Sequence, residues 1–210
     1  MTTIVPPRHE TASSNGAMAA PAARDIHTTV TGTPGGKADA ARSTGSGATA
    51  RTVARYSWFA ARIGMGFIFL WAFVDKLFGF GYATPADKGW IDGGSPTKGF
   101  LSGAEGPFAG FYQDIAGTAF ANVAFMLGLA AIGTALLLGI GMRLAAGAGA
   151  LMLVMMYTVV LPPTSNPLID DHLILAVLLI GLAAAGAGNT FGLGHRWAAT
   201  PFVTRQPWLK

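Results

Sequence analysis

Cysteine is absent from all 210 residues, and charge is sparse, with Asp, Glu, Lys and Arg together making up 11% of the chain. Without a thiol, this chain cannot carry out persulfide transfer, disulfide relay or thiolate attack, and it cannot supply cysteine ligands to an iron–sulfur cluster. Histidine is scarce as well. His9 and His27 lie in the first fifty residues, His195 follows the last apolar run, and His172 alone sits within one. A haem held in the bilayer by two histidines of one subunit is therefore disfavoured. No basic cluster with interleaved aromatics is present, so the net charge of +4 reads as a topology signal and not as a nucleic-acid footprint. The segment Met1–Ala50 also lacks the apolar run of about 7 to 15 residues that a secretory signal needs. Its prolines, glycines and small polar residues bury too little apolar surface to offset chain entropy, so 1–50 is expected to be a disordered cytoplasmic tail.

What the chain has in abundance is apolar sequence, 51% of all residues, against the roughly one-quarter charged composition of a soluble domain. It is concentrated in four runs, at about 56–79, 120–142, 144–161 and 167–188, each close to the roughly 20 residues that cross a bilayer as helix. The expected fold is all-α: a four-transmembrane-helix bundle over 51–197, a partly helical loop at 80–118 between helices one and two, and a C-terminal tail at 198–210. Lys and Arg precede the first run, recur as Arg143 between runs two and three, and return as Arg196, Arg205 and Lys210. The positive-inside rule then places both termini in the cytoplasm of a plasma-membrane protein, with 80–118 outside.

Ionisable residues break the apolar pattern at two places, Asp75-Lys76 and Asp170-Asp171-His172. Charges at such positions are costly and are rare without a partner or a task. If the first span ends at Gly79, Asp75 lies about 6 Å below its outer end, and if Asn166-Pro167 caps the fourth, Asp171 lies at a similar depth of about 6 Å. Tyr157 reaches the same level below Pro162-Pro163. Three spans thus bring polar groups to one shelf, where Lys76 is expected to pair with a carboxylate of the fourth span. Successive helical residues point about 100° apart, so Asp170, Asp171 and His172 cannot all face inward; they converge poorly on an ion, and no metal site is assigned. Trp71 shares the face of Asp75 one turn earlier. Two readings stay open: ion pairs and caps that lock a bundle, or a polar pocket for proton-coupled exchange with a quinone.

The loop holds the densest local pattern, Gly89-Trp90-Ile91-Asp92-Gly93-Gly94-Ser95-Pro96-Thr97-Lys98-Gly99-Phe100-Leu101. Ser95-Pro96 predicts a helix start, and the Gly93-Gly94 amides suggest an anion-binding nest. A lid packed on the bundle is the competing reading. The loop sets Lys88 and Lys98 against Asp87, Asp92, Glu105 and Asp114, so a dianion is steered inward only if Lys76, Lys88 and Lys98 cluster. Arg62 is expected to snorkel to the cytoplasmic surface. Gly128, Ala131, Gly133, Ala146 and Ala150 permit close helix packing. The methionines of 152–156 read as core filling, and Trp197 and Trp208 as interface anchors.

Taken together, Arg62, Gly66, Phe69, Asp75-Lys76-Leu77, the loop pattern from Gly89 to Leu101, Asn166-Pro167 and Asp170-Asp171-His172 resemble the DoxX/DoxD family of membrane proteins over about Tyr56 to Trp197. The resemblance implies a redox-associated subunit that couples oxidation of thiosulfate, or a related small sulfur compound, to membrane quinone. It also implies a second redox subunit or sulfur-transfer partner. No tightly bound cofactor is implied. On this reading Asp75, Lys76, Asp171 and His172 carry the chemistry, while Tyr157, Asp170, Trp71, Trp90, Ser95 and Lys98 contact quinone or substrate. The alternative is a non-catalytic membrane scaffold or assembly subunit for an extracytoplasmic or redox partner. Homo-oligomerisation is left open by both.

Overall fold

A helix that buries only one stripe and exposes apolar side chains elsewhere is built for a solvent other than water, and among the described residues three are long and apolar enough to cross a bilayer. The structure, a computed structural model, describes residues 35–164 and 166–209, with side chains from 47 onward. The chain divides into two compact units, Met1–Ala41 and Arg42–Lys210, and all packing described below lies within the second. Every regular element among the described residues is helical.

Helix α1 runs Gly35–Phe78, with Gly47–Phe78 meeting the length and composition of a span. It therefore begins well before Tyr56, and of the tail expected at 1–50 only 1–34 lies outside the described residues. The loop that follows carries two short helices, α2 (Lys98–Ser102) and α3 (Ala109–Ile115), flanked by 3-10 turns at Trp90–Asp92 and Gly106–Phe108. Helix α4 (Ala119–Leu138) starts where the Thr118 hydroxyl accepts from the Ala121 amide at 3.3 Å, and stops at Gly139 with φ 72°. Only glycine adopts that conformation freely. Helix α5 covers Met142–Val159, and Pro162-Pro163 follow it in place of a further turn.

The fourth apolar helix departs from expectation. Helix α6 is Asp171–Ala184, 14 residues, below the roughly 20 of a full crossing. Asn166 does not cap it. Its side-chain oxygen instead accepts the Leu168 and Ile169 amides at 3.0 and 2.6 Å, closing a local turn. Asp170 takes the capping position in extended conformation and accepts the Leu173 amide at 3.3 Å. The segment beyond α6 is folded: α7 (Gly194–Ala198) and α8 (Pro201–Arg205) bury Val203, and the Trp197 indole donates to the Leu209 carbonyl at 2.7 Å.

One core joins α1, α4, α5 and α6, with Phe69, Met126, Leu129, Leu136, Leu153 and Leu179 at its centre. Small residues bring the backbones together. A Cβ on Gly133 would lie 2.7 Å from the Leu70 amide nitrogen, and one on Gly66 would lie 3.0 Å from that of Leu137, so α1 and α4 cross at near-backbone contact. Gly133 and Ala146 serve the close packing expected of them, whereas Ala131 faces outward.

Arg62 corrects the snorkelling expectation. It is fully buried, and its guanidinium donates to the carbonyls of Leu136 (2.5 Å) and Leu137 (3.0 Å) and to those of Thr190 (3.2 Å) and Phe191 (3.4 Å). The last carbonyls of a helix lack the regular partners of its interior and sit at the negative end of its dipole. They offer a buried cation what water would, and the Phe59 ring lies 5.4 Å beneath the same group. Nε is the one buried side-chain nitrogen or oxygen without a partner among the described residues.

Candidate functional site

The expected polar shelf divides into separate places. Asp75, 1% exposed, accepts the backbone amides of Tyr82 at 3.4 Å and Ala83 at 3.1 Å. It ties the turn after α1 back onto the helix. The ion pairs among the described residues are Lys88 with Asp87 and His172 with its two neighbouring aspartates, so the expected bridge from Lys76 to the fourth helix is not formed. Asp170 combines its capping bond with a 2.5 Å contact between its other oxygen and Nδ1 of His172. Asp171, the first residue of α6, is 84% exposed and lies 3.6 Å from the same nitrogen. It stands at the rim, not one turn inside, because the helix starts four residues later than expected. The three do converge, with donor atoms within 4.8 Å of one another. Consecutive helical residues would diverge, but Asp170 lies outside the helix.

Tyr157 belongs to neither carboxylate. Its hydroxyl donates to the Leu168 carbonyl at 2.7 Å and braces the segment leading to α6. Trp71 sits in an aromatic row, stacked on Phe67 at 5.9 Å and edge-on to Tyr82 at 5.3 Å. Trp90 packs against the main core.

The loop is held by a residue the sequence reading passed over. Asn122 of α4, nearly buried, accepts at its side-chain oxygen from the Thr97 hydroxyl (2.7 Å), the Ser95 hydroxyl (3.0 Å) and the Thr97 amide (3.2 Å), and donates to the Gly117 carbonyl at 3.3 Å. An amide within an apolar run, four residues after a capping threonine, is the signal that marked it. The same bonds explain why Ser95 does not cap a helix; α2 starts at Lys98, after Thr97. The nest is not available either, since the Gly93 amide is spent on the Trp90 carbonyl and the Gly94 amide on that of Gly89. A small second core of Ala104, Tyr112 and Val159 sits α3 on the end of α5, where the Tyr112 hydroxyl meets that of Thr158 at 2.5 Å.

Beneath this loop lies a cavity of about 1010 Å³. Lys76 from the last turn of α1, Lys88 from the loop and Lys98 at the start of α2 all line it, and no carboxylate does among the described residues. Its walls are apolar: Phe120 and Phe125 of α4, Leu151, Met152, Met155 and Met156 of α5. Of these methionines only Met152 also packs against the core, and Met155 is exposed. Of the ten residues expected to form a site, only Lys76, Ser95 and Lys98 meet here. Lys76, Lys88 and Lys98, the lysines on which anion steering depends, all line this one cavity. No protein-family model, curated protein or solved structure matches this chain.

Proposed function

We propose that this chain is a DoxX/DoxD-like integral membrane protein that works as the membrane subunit of a redox system, oxidising thiosulfate or a related small sulfur anion at the expense of quinone. The observation that carries the reading is the cavity: three lysines and, among the described residues, no carboxylate line it, and an apolar shaft continues below. Cationic clefts with low-dielectric walls concentrate anions, and an apolar shaft suits a quinone ring and tail. In the overall reaction two thiosulfates each lose one electron and join through a new S–S bond as tetrathionate. The quinone takes up the two electrons and two protons to become quinol. A second subunit is part of this proposal, because the chain has no thiol to hold a sulfur intermediate.

The membrane setting rests on the three span-length helices, and four crossings are proposed with α6 as the fourth. Both termini would lie on the side of Arg55, Arg143 and Arg205. The test is thiosulfate-dependent reduction of a soluble quinone by protein purified with its co-purifying partners. Lys76→Met and Lys98→Met are each expected to raise KM for thiosulfate about ten-fold, the equivalent of about 1.4 kcal/mol of lost anion binding. Absence of turnover in every partner-containing preparation overturns the redox reading.

A scaffold role is the second reading, and one observation favours it. The buried polar groups Asp75, Asn122 and Asp170 are all spent on bonds within the fold. Recovery of a stoichiometric partner, with no quinone reduction by the complex, would decide for it.

A further inference from the structure

The cavity's shape adds something its charge does not. On α5 its lining runs from Val159 at the loop end to Ala148, eleven residues or about 16 Å along a helix. On α4 it extends only from Phe120 to Phe125. The void is therefore a shaft descending beside α5, with all three lysines at its loop end. A bare inorganic anion would use the lysines and leave the apolar length empty. A neutral amphiphile would fill the shaft and bring no charge to the three ammonium groups above it. Lys98 is in no ion pair among the described residues, Lys76 feels the Asp75 carboxylate without an ion-pair contact, and Lys88 meets only the exposed Asp87 at 3.6 Å. Leu151, 63% exposed, and Phe120, 80% exposed, are part of the wall, so the shaft is open along its apolar side, the side an acyl chain would enter from a bilayer.

We propose that this cavity binds an anionic membrane phospholipid, with the phosphate headgroup on Lys76, Lys88 and Lys98 and one acyl chain along α5 toward Ala148. Each part of the ligand meets a matching part of the site. Phosphate takes charge-assisted hydrogen bonds from the ammonium groups, and each buried methylene adds about 0.8 kcal/mol. The inference goes beyond the redox reading and does not depend on it. A lipid seated there would occupy the lysines that a sulfur anion needs, and so would control access to them.

The experiment is lipid binding by native mass spectrometry, using the full chain stripped of lipid in a neutral detergent. The probes are dioctanoyl phosphatidylglycerol, dioctanoyl phosphatidylcholine and inorganic phosphate. Phosphatidylglycerol is expected to bind at least ten-fold more tightly than phosphatidylcholine, and phosphate alone to displace it only at far higher concentration. The double variant Lys76→Gln/Lys98→Gln should lose that preference. Ala148→Trp, at an exposed position away from the core, should weaken phosphatidylglycerol with the lysines intact by blocking the shaft. Equal binding of the two lipids overturns the proposal, as does a double variant within two-fold of the parent. Phosphate competing as well as the lipid would make this a free-anion site and overturn it too, as would Ala148→Trp leaving the lipid affinity unchanged. No turnover is measured, so failure here leaves the redox reading standing, and failure of the quinone assay leaves this one standing.

Discussion

Two buried charges of α1, Arg62 within the helix and Asp75 in its last turn, are neutralised by backbone and not by each other. Arg62 faces the carbonyl end of α4, while Asp75 faces the amides of Tyr82 and Ala83. A peptide dipole that is already fixed in place solvates an ion without reorganisation, which is why neither residue needs an oppositely charged side chain. A test of the role of Asp75 follows from its two bonds. Asp75→Ala leaves two amides without their acceptor and should cost roughly 2 kcal/mol, within the range for orphaned buried groups. Asp75→Asn keeps one acceptor oxygen and should lose about half as much. Thermal unfolding in detergent measures both. Should Asp75→Asn unfold at the parent temperature yet abolish quinone reduction, the carboxylate handles protons and the anchoring role assigned to it is wrong.

At the level of elements, the close crossing of α1 and α4 makes a sharp distinction between two glycines of one helix. A methyl group at Gly133 would press on the Leu70 backbone, whereas one at Gly128 would meet only the terminal methyl of Met152, the far end of a flexible side chain. Gly133→Ala should therefore destabilise by about 1 to 3 kcal/mol, and Gly128→Ala should stay within about 0.5 kcal/mol of the parent. Chemical denaturation in mixed micelles separates them; equal losses would mean that the backbones are not in contact. The same elements show what was legible in sequence. The apolar runs located α4 and α5 to within a few residues, because hydropathy and helix stops are local properties. The start of α6 was missed because Asn166-Pro167 and Asp170 both carry a capping signature, and only the turn made by Asn166 with Leu168 and Ile169 decides between them. Arg62 was misread for a different reason: its partners lie more than seventy residues away, at a helix end that no periodicity points to. That Lys76, Lys88 and Lys98 line one cavity was not legible, since they come from three separate segments.

For the molecule as a whole, the decisive question is whether the 14-residue α6 completes a fourth crossing. Its start lies near the end of α5, where Tyr157 bonds the Leu168 carbonyl. Its far side returns to the opposite end of the bundle: a Cβ on Gly188 would lie 2.6 Å from the Gly139 carbonyl, and Arg143 at the start of α5 donates to the Pro207 carbonyl at 3.1 Å. The path from Leu168 to Gly188 therefore matches α5 end for end, with irregular backbone making up at the rims what the helix lacks. Irregular backbone is tolerated at a rim, where water or protein satisfies it, but not at the lipid-facing centre. Exposed Ile174, Val177 and Ile180 present an apolar face over the intervening length. A chain without cysteine permits a direct test, because each introduced thiol is the only one present. Ser102→Cys in the loop and Thr204→Cys in α8, both at exposed positions, should react from opposite faces of intact cells with a membrane-impermeant maleimide. The expected result is labelling of Ser102→Cys from outside and of Thr204→Cys only after permeabilisation. Labelling of both from the same side would leave α6 short of a crossing. Three spans would then carry the chain, and α7 and the Pro207–Leu209 turn could no longer share a face with the α4–α5 connection beside them here.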